Sequence, residues 1–128
     1  GGFCVLKDVP KTLVYKLAKH INKKKEIIPD RIITREPTAE LKFNQTDQDN
    51  LPSYDILDSI INMYIEQKIS PNAIVREGFD SQVVKKVVEL IHGNEFKRRQ
   101  SAPGPKITSK AFSVDRRYPI TNRYKPKI

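Results

Sequence analysis

Between residues 80 and 92 the apolar positions recur in pairs every four residues, the spacing of one face of an α-helix. Val83, Val84, Val87, Val88 and Ile91 fall on one side, behind Asp80, whose carboxylate suits an N-cap. Their β-branched side chains favour a strand by propensity, but the four-residue repeat predicts a helix. Ile56, Leu57, Ile60, Ile61, Tyr64 and Ile65 predict a second helix, from about Ser53 to Lys68, entered through Pro52. Leu13, Val14, Leu17, Ala18 and Ile21 predict a third near the start of the chain. Asp8 is placed to cap it, Pro10 suits its first turn, and Lys23 to Lys25 sit where a helix C-terminus attracts cations. A short helix from Pro71 to Glu77 completes the set, stopped by Gly78.

The remaining chain is patterned differently. Between the first two predicted helices in chain order, Ile27-Ile28 and Ile32-Ile33 are isolated apolar pairs expected to dock on a larger body. Around them stands turn chemistry: Asn44, Asp47, Asp49, Asn50 and Pro52. From Ser101 onward periodicity fades, and five residues are proline or glycine. A segment of such length is uncommon in a self-contained domain and is usually functional, disordered or docked on something missing. The expected organisation is mainly α, with residues 1–100 a helical region and 101–128 a basic irregular tail. There are too few strand patterns to build a sheet.

Charge sharpens that division. Of the 24 basic residues, ten lie from Lys97 onward, beside one of the 15 acids, Asp115; fourteen of each remain upstream. The whole excess of +9 therefore belongs to the last quarter of the chain and calls for an anionic partner. Three cations, Lys97, Arg98 and Arg99, stand side by side in "NEFKRRQSAPGPKI". A mean hydropathy of -0.57, the lack of any long apolar run and the absence of a signal-peptide pattern predict a cytoplasmic protein with no membrane span. One cysteine, Cys4, agrees with a reducing compartment. His20 and His92 have no metal-ligand spacing. Asp47 and Asp49 begin like a calcium loop, but the glycine and glutamate such a loop requires do not follow, so a turn role is expected.

One general reading is a basic helical nucleic-acid-binding module, since helix 71–77, Gly78 and helix 80–92 loosely imitate a helix-turn-helix. The second of these helices offers only Gln82, Lys85, Lys86 and Glu89 outward, a thin set for phosphates and bases, and the charge lies beyond it. That weighs against nucleic acid.

A more specific reading comes from four strings in fixed order: "GGFCVLKDVPKTLVYKLA", "REPTAEL", "QTDQDNLPSYDILD" and "NEFKRRQSAPGPKITSKAFSVDRRYPITNR". Together, over residues 1 to about 124, they resemble the C-terminal part of the ATP-dependent synthetase domain of the glutamine-dependent NAD synthetase family. The resemblance implies that residues 1–128 close a Rossmann-like α/β domain of the ATP-pyrophosphatase group. The parallel strands, phosphate loop and magnesium ligands of that domain, and a nitrilase-like glutaminase domain, would lie upstream. It further implies ATP with Mg and deamido-NAD (nicotinic acid adenine dinucleotide) as ligands, a homo-oligomer when full-length, and no activity for this portion alone.

The same resemblance assigns Lys11, in "VPKTL", and Thr38, in "EPTAEL", to ATP, and Lys97, in "EFKRRQ", to deamido-NAD. Arg98 and Arg99 are candidates beside Lys97. Asp115, in "SVDRRYP", is expected either to pair with Arg116 or Arg117 or to stand at the active-site rim, organising those arginines or taking a proton from ammonia.

Overall fold

The computed structural model describes residues 2–35 and 51–125, and every regular element among them is helical. In chain order these are α1 Lys11–Ile21, α2 Asp30–Thr34, α3 Tyr54–Ile61, α4 Pro71–Arg76, α5 Ser81–Gly93 and α6 Glu95–Gln100, with a π-helical turn, Asn62–Glu66, directly after α3. The chain divides into two compact units: Pro10–Asp58, and a larger one made of Gly1–Val9 with Ser59–Ile128.

The larger unit has an apolar core. Ile60, Tyr64 and Ile65 meet Ile74 of α4 and Val84, Val87, Val88 and Ile91 of α5, all buried, and Ala111 of the tail joins them. α4 packs on both α5 and the π turn. The ends are built as their residues dictate. Ser70 caps α4 through Ala73 N–H, and Asp80 Oδ1 accepts from the amides of Gln82 and Val83, each at 2.9 Å. Gly78 takes φ +102°, the left-handed conformation that stops α4. The predicted helix to Lys68 is not uniform: it widens at Asn62, where Gln67 N–H donates to Asn62 O, and Lys68 at φ +59° ends it. Apolar spacing cannot distinguish this bonding from an α-helix, because the same face stays inward.

The tail from Ser101 is irregular but docked on its own chain. Cys4 N–H donates to Pro103 O at 2.8 Å, and Lys7 Nζ reaches Ala102 O at 2.6 Å. Gly104 lies so close that a Cβ there would meet Cys4 O at 2.3 Å and Lys7 Cβ at 2.7 Å. Asp8 corrects the sequence expectation. It does not cap α1; its buried carboxylate accepts from Ile107 N–H, Thr108 N–H and Thr108 Oγ, each at 2.8 Å, and from Phe112 N–H at 3.3 Å. Burial raises its pKa, but these donors outweigh burial and hold it below the ordinary carboxylate value. Glu66 receives Ser109 in the same manner, through Oγ at 2.9 Å.

In the smaller unit, Asp58 does what Asp8 was expected to do, accepting Thr12 N–H of the first α1 turn at 2.8 Å. Past α1, the Asn22 amide closes the loop by accepting from Ile27 and Ile28 and donating to Ile28 O. α2 packs against α1. Of the two apolar pairs, Ile28 and Ile33 are half-buried, while Ile27 and Ile32 stay exposed.

Candidate functional site

The basic cluster occupies α6, and its three cations have different surroundings. Glu95, in the first turn, is 2% exposed, and its two oxygens are shared out. Arg98 Nη2 donates to Oε2 and Arg99 Nε to Oε1, both at 2.9 Å. Burial raises the Glu95 carboxyl, but the two guanidiniums outweigh it and keep it ionised. Arg98 also donates to Ile91 O of α5 and lies 4.8 Å from the Phe112 ring centroid. Arg99 donates to Tyr118 O of the tail at 2.7 Å. Lys97, just before them in sequence, is exposed, with its Nζ 5.9 Å from the Phe96 ring centroid. Among the described residues no carboxylate pairs with it. The arginines of the cluster thus face an internal anion, Glu95, while the lysine stays exposed.

Beside α6 lies a polar network that the sequence did not reveal. Tyr64 Oη stands 2.9 Å from His92 Nε2 and 3.2 Å from Tyr118 Oη. The His92 and Tyr118 rings are 4.1 Å apart. Arg116 lies 3.9 Å from the Tyr64 ring centroid and donates to Tyr64 O. Burial pushes the Tyr64 hydroxyl pKa far up, so it stays protonated. Burial, with the charges of Arg116 and Arg98, holds the His92 pKa below its usual value and favours neutral imidazole. A surface groove of about 130 Å³ opens beside His92, bordered by Glu89, Tyr124 and Lys125.

Asp115 pairs with Lys106 at 2.5 Å and accepts Ala111 N–H at 2.9 Å, and these contacts, the Lys106 ammonium first, lower its pKa. The expected partners are therefore corrected: Arg116 binds Tyr64, and Asp115 organises its own turn. Lys11 opens α1, with Nζ 5.7 Å from the ring centroids of both Tyr15 and Tyr54. One first-turn amide of that helix, Thr12 N–H, is already taken by Asp58. Thr38 lies outside the described residues. Some of what was missed had a readable signal: Glu95 precedes Arg98 and Arg99 by three and four positions, the spacing of helical ion pairs.

A family model described as NAD synthase matches residues 1–101. The glutamine-dependent NAD(+) synthetase of Acinetobacter baylyi is 56% identical over 128 residues, 98% of this chain and 24% of its own. That of Aquifex aeolicus is 51% identical over 97% of this chain and 22% of its own. Among solved structures, the glutamine-dependent NAD+ synthetase from Acinetobacter baumannii in complex with adenosine diphosphate is 49% identical, with a TM-score of 0.54, over 95% of this chain and 21% of that one. The chain spans about a quarter of the length of the curated relatives it matches.

Proposed function

This chain belongs to the NAD synthase family, and we propose that it forms the C-terminal part of a ligase that amidates deamido-NAD to NAD with ammonia derived from glutamine. The observation that carries this reading is 56% identity across 98% of the chain to a glutamine-dependent NAD(+) synthetase. In the proposed reaction the nicotinate carboxylate attacks the α-phosphorus of ATP, forming an acyl-adenylate and releasing pyrophosphate. Ammonia then attacks the acyl carbon, and AMP leaves with the carboxylate oxygen. Both substrates carry clustered negative charge, so the residues contribute chiefly by position and by cations aimed at phosphate oxygens.

Lys11 and Thr38 are assigned to ATP. Two tyrosine rings beside the Lys11 ammonium restrain it by cation–π attraction without neutralising it. Lys97 is assigned to deamido-NAD. Arg98 and Arg99, engaged by Glu95, shape α6 in this reading, and Asp115 orders the tail. Among the described residues no three His, Cys, Asp or Glu side chains are grouped to hold a metal. They do not fit a magnesium site, and in this reading the magnesium that accompanies ATP is held by residues outside them. A Rossmann-like body, a glutaminase domain, a cytoplasmic setting and a homo-oligomeric assembly complete the proposal.

The nucleic-acid alternative gains nothing from the structure. At least five of the ten basic side chains from Lys97 onward (Arg98, Arg99, Lys106, Arg116 and Lys125) are engaged by this same chain. The test is an assay of the full-length protein with deamido-NAD, ATP and glutamine. NAD formed in step with AMP and pyrophosphate is the expected result. No NAD, with salt-sensitive duplex binding instead, would overturn the reading.

A further inference from the structure

We propose that Glu95 is a positioning residue, which by clamping Arg98 and Arg99 from the interior aims Lys97 at deamido-NAD; the inference rests on the ligand assignment made above. α6 has six residues, too few to hold a helix by itself in water. Its N-cap, Asn94, makes no side-chain capping bond. What fixes the helix is tertiary, and it converges on one carboxylate. Glu95 ties to Arg98 and Arg99 at 2.9 Å each. Arg98 passes the connection to Ile91 O of α5, and Arg99 passes it to Tyr118 O of the tail. Successive helical residues turn by about 100°, so Lys97, two positions on, projects away from the side that buries Glu95. The pattern Glu-x-Lys-Arg-Arg therefore separates three neighbouring cations into two that hold and one that is presented.

Charge supports the same division. A buried carboxylate between two guanidiniums offsets cations that would otherwise repel the Lys97 ammonium or compete with it for the same phosphate. Without Glu95, both arginines lose their charged partner and keep only the carbonyls of Ile91 and Tyr118. The azimuth of α6 is then held less tightly, and the point charge of Lys97 no longer meets a defined oxygen.

The experiment uses the full-length enzyme. Glu95→Gln keeps the side-chain size and removes the charge. It is expected to raise KM for deamido-NAD about tenfold, as loss of charged hydrogen bonds would, with KM for ATP within about twofold. Lys97→Met alone should raise the same KM. In the Lys97→Met background, Glu95→Gln should then add less than about a twofold change, because the two residues act as one unit.

If Lys97→Met raises KM for deamido-NAD and Glu95→Gln does not, the positioning role is overturned while the ligand assignment stands. If Glu95→Gln lowers only Tm, or moves both KM values alike, its role is merely structural and the inference is also overturned. If Lys97→Met has no effect, the assignment itself fails and takes the inference with it. Should Glu95→Gln not fold, Arg99→Lys is measured against the same outcomes. It keeps the charge but loses the fork that reaches both Glu95 and Tyr118.

Discussion

Every fully buried side chain among the described residues lies in the larger unit, in the π turn, the adjoining helices, Asp8 and the tail. In the smaller unit α1 and α2 bury none, and Leu13, Leu17 and Ile21 along one face of α1 are 37%, 43% and 48% exposed. The two units also use polar groups differently. In the larger unit, buried or half-buried acceptors on the body receive an irregular segment: Asp8 takes residues 107–112, Glu66 takes Ser109, and Tyr64 O takes Arg116. In the smaller unit the polar contacts are local or span helix ends, as Asn22 and Asp58 do. An apolar stripe thus contributes to stability only where something covers it, and an irregular tail can be held in place where acceptors on the body meet its donors.

The contrast is broken most severely at Ile74, which is fully buried. Ile74→Ala should destabilise the chain by about 2–5 kcal/mol, the range for emptying a well-packed site, as read by urea denaturation. A cost below about 1 kcal/mol would mean that the larger unit is not the stable one. Next comes the tail contact. Gly104→Ala would drive a methyl group into Cys4 O and Lys7 Cβ, so the two segments must separate. A loss of about 1–3 kcal/mol is expected, with faster amide exchange at Cys4, whose N–H donates to Pro103 O.

Much of this was legible beforehand. The starts of α4 and α5, the Asp80 cap and the Gly78 stop follow from local rules, because each depends on residues within one or two turns. Asp8 was misread for the opposite reason: its partners stand about one hundred positions away, and no local pattern distinguishes a capping carboxylate from one that anchors a tail. α6 was missed because six residues rich in charge show no apolar repeat. The charge asymmetry was visible, but counting charges did not reveal that Glu95 takes two of the three clustered cations inward. Lys11, Thr38 and Lys97 came from family resemblance, since a solvated lysine and a ligand lysine look the same in composition.

Asp8 also gives the contrast a pH dependence. Its folded pKa lies below the ordinary value of 3.8, so its contribution is complete above that value and disappears as pH falls through the folded pKa. Asp8→Asn keeps one acceptor oxygen and should cost roughly 1 kcal/mol at neutral pH. It should also flatten the acid end of the stability profile below about pH 4. A steep acid limb that survives the substitution would assign that sensitivity to Glu95, whose pKa is depressed in the same sense.

The smallest effect belongs to α1. Leu17 is 43% exposed, so truncating it removes little area that was out of water, and alanine is the better helix former. Leu17→Ala should change the stability of this chain by less than about 1 kcal/mol in a urea titration. Its value lies in comparison with Ile74→Ala, since both remove branched aliphatic carbon from an amphipathic helix. If the two cost the same, then α1 is covered in solution by contacts that its exposed leucines do not show, and the distinction between the units fails. If they differ by 2 kcal/mol or more, roughly the spread between a packed and an open site, burial rather than helical pattern decides what a stripe contributes.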